Sequence, residues 1–229
     1  MTRTVVREET PVTSTPTAGG RGLRTLLLAV IGVGLLLLGG GLAVALGIGS
    51  EAKPSADSVD VGFARDMSAH HLQAVEMANL ALQRSTDDAV RGLAFDISST
   101  QQNQVGRMQG WLSLWGYSVT GGRQMAWMGS DAHAAHDMSM TNGLMPGMAT
   151  EDELASLRSA TGKKFDVLFL QLMTRHHQGG SEMAQYAQIH AGEWAVRRLA
   201  SSIIESQTAE TNLMVSMLSD RGAEPLPAP

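Results

Sequence analysis

The chain writes one phrase twice. Phe63-Ala-Arg-Asp-Met67-Ser-Ala-His70-His71 runs on into Glu76-Met77-Ala78, and Phe169-Leu-Gln-Leu-Met173-Thr-Arg-His176-His177 runs on into Glu182-Met183-Ala184, at a constant offset of 106 residues. Both copies are helical in pattern. Phe63, Met67, His70, Ala74, Met77, Ala78 and Ala81 share one face at three- and four-residue spacings. A second stripe, Val90, Leu93, Ala94, Ile97, Gln101, Gln104, Met108 and Leu112, follows a break at Ser85-Thr86-Asp87-Asp88 that offers an N-cap. The second copy has its own stripe, Phe165, Phe169, Met173, His176, Ala184 and Ala187, and after a break near Ala191-Gly192-Glu193 a fourth: Val196, Leu199, Ala200, Ile203, Gln207, Met214 and Leu218. From residue 63 to 116 about a third of the aligned positions are identical. A hairpin with an apolar stripe on each helix cannot bury both stripes alone, so two copies most simply bury them together. The expected fold is all-α, a four-helix bundle built from a duplicated hairpin. Twofold pairing would bring the two His-His pairs together in its core.

The domain plan follows from where these patterns stop. Residues 1–22 are polar and rich in Thr, Pro and Gly, as in a disordered tail. Residues 23–48 are almost wholly apolar, enough to cross a bilayer as one helix. Arg21 and Arg24 flank that run, with Arg3 and Arg7 further out, so the positive-inside rule leaves the tail in the cytoplasm and exports the rest. Ala43-Val-Ala45 resembles a small-residue cleavage site, which keeps a signal peptide open beside the anchor. Residues 49–58 read as a linker and 59–220 as the bundle, with hairpins at 59–116 and 163–220, a connector at 117–162, and a disordered tail at 221–229. Within the connector, Thr150-Glu-Asp-Glu153 is a capping box that opens a short helix through Leu154 and Leu157, with Gly162 closing it. Gly116 closes the second long helix.

Cysteine is absent, so disulfides, thiolate metal sites and thiol catalysis are excluded. Beyond residue 50 the chain holds 13 basic and 20 acidic residues, a balance that draws cations and disfavours nucleic acid. The chain has 7 histidines and 14 methionines. Imidazole and thioether together suit soft and borderline metals, above all copper.

The candidate metal ligands fall in two groups. His70, His71, His176 and His177, with Met67, Met77, Met173 and Met183 beside them on the helical wheel, form a core site. His133, His136, Met138, Met140, Met145 and Met148 stand in the connector as a mobile capture loop. The duplicated Gln101 and Gln207 are expected to orient the histidines from the partner helices. Glu76 and Glu182 are expected at the boundary, paired with Arg91 or Arg197 or with a neighbouring helix. No Glu-x-x-His occurs, so the di-iron carboxylate pattern is not met. No acid–base pair, nucleophile or organic-cofactor motif points to an enzyme.

The set Met67-x-x-His70-His71, Glu76-Met77-Ala78, the Met145-Pro-Gly-Met148 turn, Gly162 to Phe169, and Met173-x-x-His176-His177 with Glu182-Met183-Ala184 resembles the domain of unknown function family 305 over nearly all of residues 59–220. The chain departs from that pattern at Gln178-Gly-Gly-Ser181. The resemblance implies a ferritin-like four-helix bundle, exported or membrane-anchored, in a family with no settled enzymatic activity and with some members associated with copper or silver handling outside the cytoplasm. The expected protein is therefore a single-pass protein of a bacterial-type cell membrane whose extracytoplasmic domain binds Cu(I), another transition metal staying open. A metal-free adaptor docking on a membrane complex is the alternative, and a metal-dependent oxidoreductase is a third reading. Homodimerisation through the glycine-rich membrane helix is left open.

Overall fold

The structure is a computed structural model that describes residues 19–45, 53–129 and 143–227. It divides into two units, Met1–Ala52 and Lys53–Pro229. Six helices and no strand are present among the described residues. The first unit holds α1 (Gly19–Ala45), and its window Gly22–Ala45 has a mean hydropathy of 2.5. The helix starts within the stretch expected to be a disordered tail, because Gly19 to Gly22 extend the apolar helix rather than end the polar segment. Leucines from Leu23 to Leu42 stand exposed along it. At about 1.5 Å per residue it is long enough for a bilayer core, by length and composition.

The second unit is built from four long helices: α2 (Val59–Arg84), α3 (Asp88–Trp115), α5 (Gly162–His190) and α6 (Trp194–Asp220). A short helix, α4 (Glu151–Ser159), lies in the connector. Consecutive long helices pair as hairpins, α2 with α3 and α5 with α6, and the hairpins join through α2 and α5. The N-terminal half of α2 shares one apolar cluster with the C-terminal half of α5: Phe63, Ala64 and Met67 with Met183, Ala184 and Ala187. Its C-terminal half shares a second cluster with the N-terminal half of α5: Ala74, Met77 and Ala78 with Phe165, Phe169 and Met173. The two equivalent helices are thus antiparallel, and the histidines of both lie between the clusters.

Local chemistry explains most of the helix ends. The Asp87 carboxylate accepts from the N–H groups of Ala89 and Val90 and starts α3, which Gly116 closes in a left-handed conformation. The Thr150–Glu153 capping box forms as expected. The boundary at Gly162 differs: α4 ends at Ser159 with Ala160 extended beyond it, and Gly162 is the first residue of α5. Arg91 and Arg197 are capping groups too. Arg91 donates to the Leu82 and Ser85 carbonyls and Arg197 to those of Ala191 and Gly192, which stitches each hairpin at its turn. Glu76 does not pair with Arg91 but with the neighbouring short helix. It meets Arg158 of α4 at 2.5 Å on the surface, and Glu182 is half-buried on α5. Asp60 of α2 reaches across to the N–H groups of Gly192 and Glu193 at 3.0 and 2.8 Å, and so ties the turn before α6 to the other hairpin.

Candidate metal centre

The repeat decides what lies on the shared axis of α2 and α5. His70 and His176 stack there, ring centroids 3.8 Å apart and tilted by 37°. His71 and His177 follow one residue on, each 6.4 Å from its neighbour. All four imidazoles are fully buried.

Three of them are held by a hydrogen bond at Nε2. His70 meets the Pro146 carbonyl at 3.0 Å, His71 the Gln104 amide oxygen at 2.7 Å, and His177 the Glu210 carboxylate at 2.7 Å. Carbonyl oxygens only accept, so in His70 and His71 Nε2 carries the proton and the Nδ1 of the neutral ring keeps a bare lone pair. That Nδ1 has no partner in His70, His71 or His177, and His176 has no partner at either nitrogen. Unpaired polar atoms in a packed interior are costly and uncommon, and here they are gathered in one layer.

Burial also fixes the charge state. Desolvation pulls His70 down to about 4 and His71 to about 3, and the neighbouring imidazoles push the same way. His176 is lowered well below its ordinary value for the same two reasons. These rings are neutral near pH 7, with lone pairs available without loss of a proton. Among the described residues no three His, Asp or Glu side chains are already gathered as a chelate. The donors gathered in this layer are imidazole nitrogens and not a ring of carboxylate oxygens.

Thioethers lie on both sides. Met67, Met183 and Met145 are buried in one cluster with Met125 and Met128, while Met77 and Met173 are buried in the other. Met148 packs half-buried against the first. The Met145–Met148 turn, expected in a mobile loop, is docked on α5. Gly147 (φ +77°) lies so close that a side chain there would strike the Arg175 carbonyl and approach the His176 Cα at 3.0 Å. Gly179 faces the Pro146 carbonyl just as closely. Gly179 thus leaves room for the turn that holds His70. His133, His136, Met138 and Met140 lie outside the described residues.

The glutamines are a correction. Gln101 makes no hydrogen bond at either amide atom, and Gln207 accepts only from Ser181, at 3.3 Å. The groups that orient the imidazoles are Gln104 and Glu210, one turn further along, together with the Pro146 carbonyl. His71 and His177 are rotated about 100° from their neighbours and reach that next turn. Gln104 and Glu210 occupy equivalent places but differ in type, so counting repeat identities passes over them, and a backbone carbonyl has no side-chain signature.

The family described as Domain of unknown function (DUF305) matches residues 60–218. The chain belongs to this family. Among solved structures, this DUF305 protein is similar to a candidate secreted DUF305 protein from Streptomyces coelicolor, at 44% identity and a TM-score of 0.67 over 76% of this chain and 98% of that one. A DUF305 fragment from Deinococcus radiodurans follows at 31% identity and a TM-score of 0.58, over 71% and 96%. CopM in its Cu(I)-bound form matches at 25% identity and a TM-score of 0.55, over 70% and 96%. No curated protein matches the chain.

Proposed function

We propose that this DUF305 protein binds Cu(I) outside the cytoplasm, with α1 as its membrane anchor, and sequesters the ion or passes it on. The observation that carries the reading is the layer of four buried imidazoles, each with an unpaired Nδ1. His70, His71, His176 and His177 supply imidazole nitrogen, and the buried methionines on either side supply thioether sulfur, a donor set that favours Cu(I) and its mimic Ag(I). The absence of cysteine fits an oxidising compartment, where a thiolate site would be lost to disulfides. CopM, of the same fold, has been crystallised with Cu(I) and with Cu(II), which supports the reading at 25% and 26% identity. The connector residues His133, His136, Met138 and Met140 act as a capture segment that feeds the layer.

Anaerobic Cu(I) titration of the full chain in detergent, against a competing chelator, tests this. The expected result is a Kd below about 1 nM that the His70→Ala/His176→Ala double variant abolishes. Weak binding that the double variant retains would refute the core site and favour a metal-independent adaptor.

A further inference from the structure

The two halves of the centre are related by the repeat, yet their outer edges carry opposite electrostatics. On the His71 side a polar groove of about 310 Å³ lies between α3 and α6, lined by Ser99, Thr100, Asn103, Gln104, Arg107 and Ser202. Its only charge is the Arg107 guanidinium, which lies over the Trp111 ring at 5.6 Å. The offset of 106 residues carries this lining to the His177 side. Ser99 becomes Glu205, Gln104 becomes Glu210 and Arg107 becomes Leu213, while Ser202 corresponds to Asp96. The groove lining has a base and no acid, and the equivalent positions in the other half, counted by the repeat, supply three acids and no base.

The acidic edge also connects with the interior. Glu210 is 17% exposed, and it holds His177, which is fully buried and whose Nδ1 has no partner. A cation arriving at Glu210 is one side chain from an open nitrogen of the layer. On the other edge the corresponding contact is a neutral amide behind a positive charge.

Resting on the metal reading above, we infer that the cargo cation enters the layer from the His177 side, with Glu210, Glu205 and Asp96 as its electrostatic funnel. Clefts lined by one sign of charge concentrate counter-ions and raise association rates. Glu210 has a second role, positioning His177 with Nδ1 inward.

Rapid mixing of the full chain in detergent with silver nitrate in chloride-free buffer, quenched by a chelator, tests the route. Silver retained in the protein fraction is the readout. Asp96→Asn/Glu205→Gln alters two exposed side chains away from the layer. By Coulomb's law in water at about 6 Å, each charge removed slows uptake about threefold at low ionic strength. The pair therefore slows it about tenfold, and the difference vanishes at about 1 M salt. Arg107→Gln changes the rate less than about twofold. A double variant as fast as wild type, or an Arg107→Gln variant that takes up silver about threefold faster or more, overturns the route. A wild type that retains no silver at equilibrium overturns the metal reading itself.

Discussion

Gly179→Ala tests whether the Met145–Met148 turn is what holds His70. The added methyl would run into the carbonyl of Pro146 and come within 2.8 Å of the Gly147 nitrogen. Those are backbone atoms, so no rotamer change relieves the overlap and the turn must lift. Lifting it removes the acceptor of the His70 Nε2–H bond, which spans 3.0 Å. Alanine in a helix interior gains about 1 kcal/mol over glycine. Against that stand about 1–3 kcal/mol of overpacking and about 1–3 kcal/mol for a buried donor left unpaired. Mid-range values leave a net loss of about 3 kcal/mol. For a unit of this size that lowers Tm by about 6–12 °C. The assay is thermal unfolding by circular dichroism, with the His70 Nε2–H proton followed by NMR. Gly92→Ala is the control: nothing lies within 4 Å of its added Cβ, so it gains up to about 1 kcal/mol. A Gly179→Ala protein with wild-type Tm and a still-protected His70 proton would refute the clamp.

His176→Leu removes two buried nitrogens that have no partner, so the metal-free protein gains about 1 kcal/mol in urea unfolding; a loss of several kcal/mol would mean the imidazole is structural. Acid destabilises the metal-free protein through the histidine window. The unfolded value of about 6.5 lies above His70 at about 4 and His71 at about 3. The unfolded chain therefore takes up protons first as pH falls, and stability that is complete above pH 6.5 is lost at about 1.4 kcal/mol per pH unit for each such histidine down to its folded value. For His70 alone that is roughly 3 kcal/mol. Asp66, raised by burial, acts with the opposite sign, contributing at low pH and losing that contribution as pH rises through its folded value. Urea midpoints that stay flat from about pH 7.5 to pH 5 would sink the buried-neutral assignment. Asp60→Ala strips two N–H groups in the turn before α6 of their acceptor and costs about 1–2 kcal/mol, read from the urea midpoint.

The bundle and the meeting of His70 with His176 were legible because duplication leaves little choice: equivalent helices pair about a twofold axis, and identical residues near it face each other. Caps at Asp87, Gly116 and Thr150 were legible for the same local reasons that form them. Gly162 was misread because a glycine after a helix usually closes it, while here the extended Ala160 and Thr161 had already ended α4. The partners of the imidazoles were less visible. Gln101 and Gln207 are identical in the two copies and drew the eye, yet Gln104 and Glu210 are the ones within reach. Glu76 meets Arg158 of the neighbouring helix α4, while Arg91 donates to turn carbonyls.

Repeat symmetry and stability pull in opposite directions at the imidazole layer. A core selected for packing alone would place an aliphatic side chain at position 176, where both ring nitrogens go unpaired, and the buried Gln101 leaves two more atoms without partners. Those unmet bonds are an energetic deficit that a bound ligand offsets, and the bare Nδ1 lone pairs of His70 and His71 suit an electron-pair acceptor. A soft cation fits that requirement. At a thousandfold excess over its Kd it adds about 4 kcal/mol to the folded state, more than the about 1 kcal/mol that His176→Leu recovers without metal. The order of stability of the two proteins therefore reverses on adding Ag(I): the variant is the more stable when empty, and the wild type when silver is present. A structural histidine would give the opposite order in the empty state, and an incidental one would give no reversal.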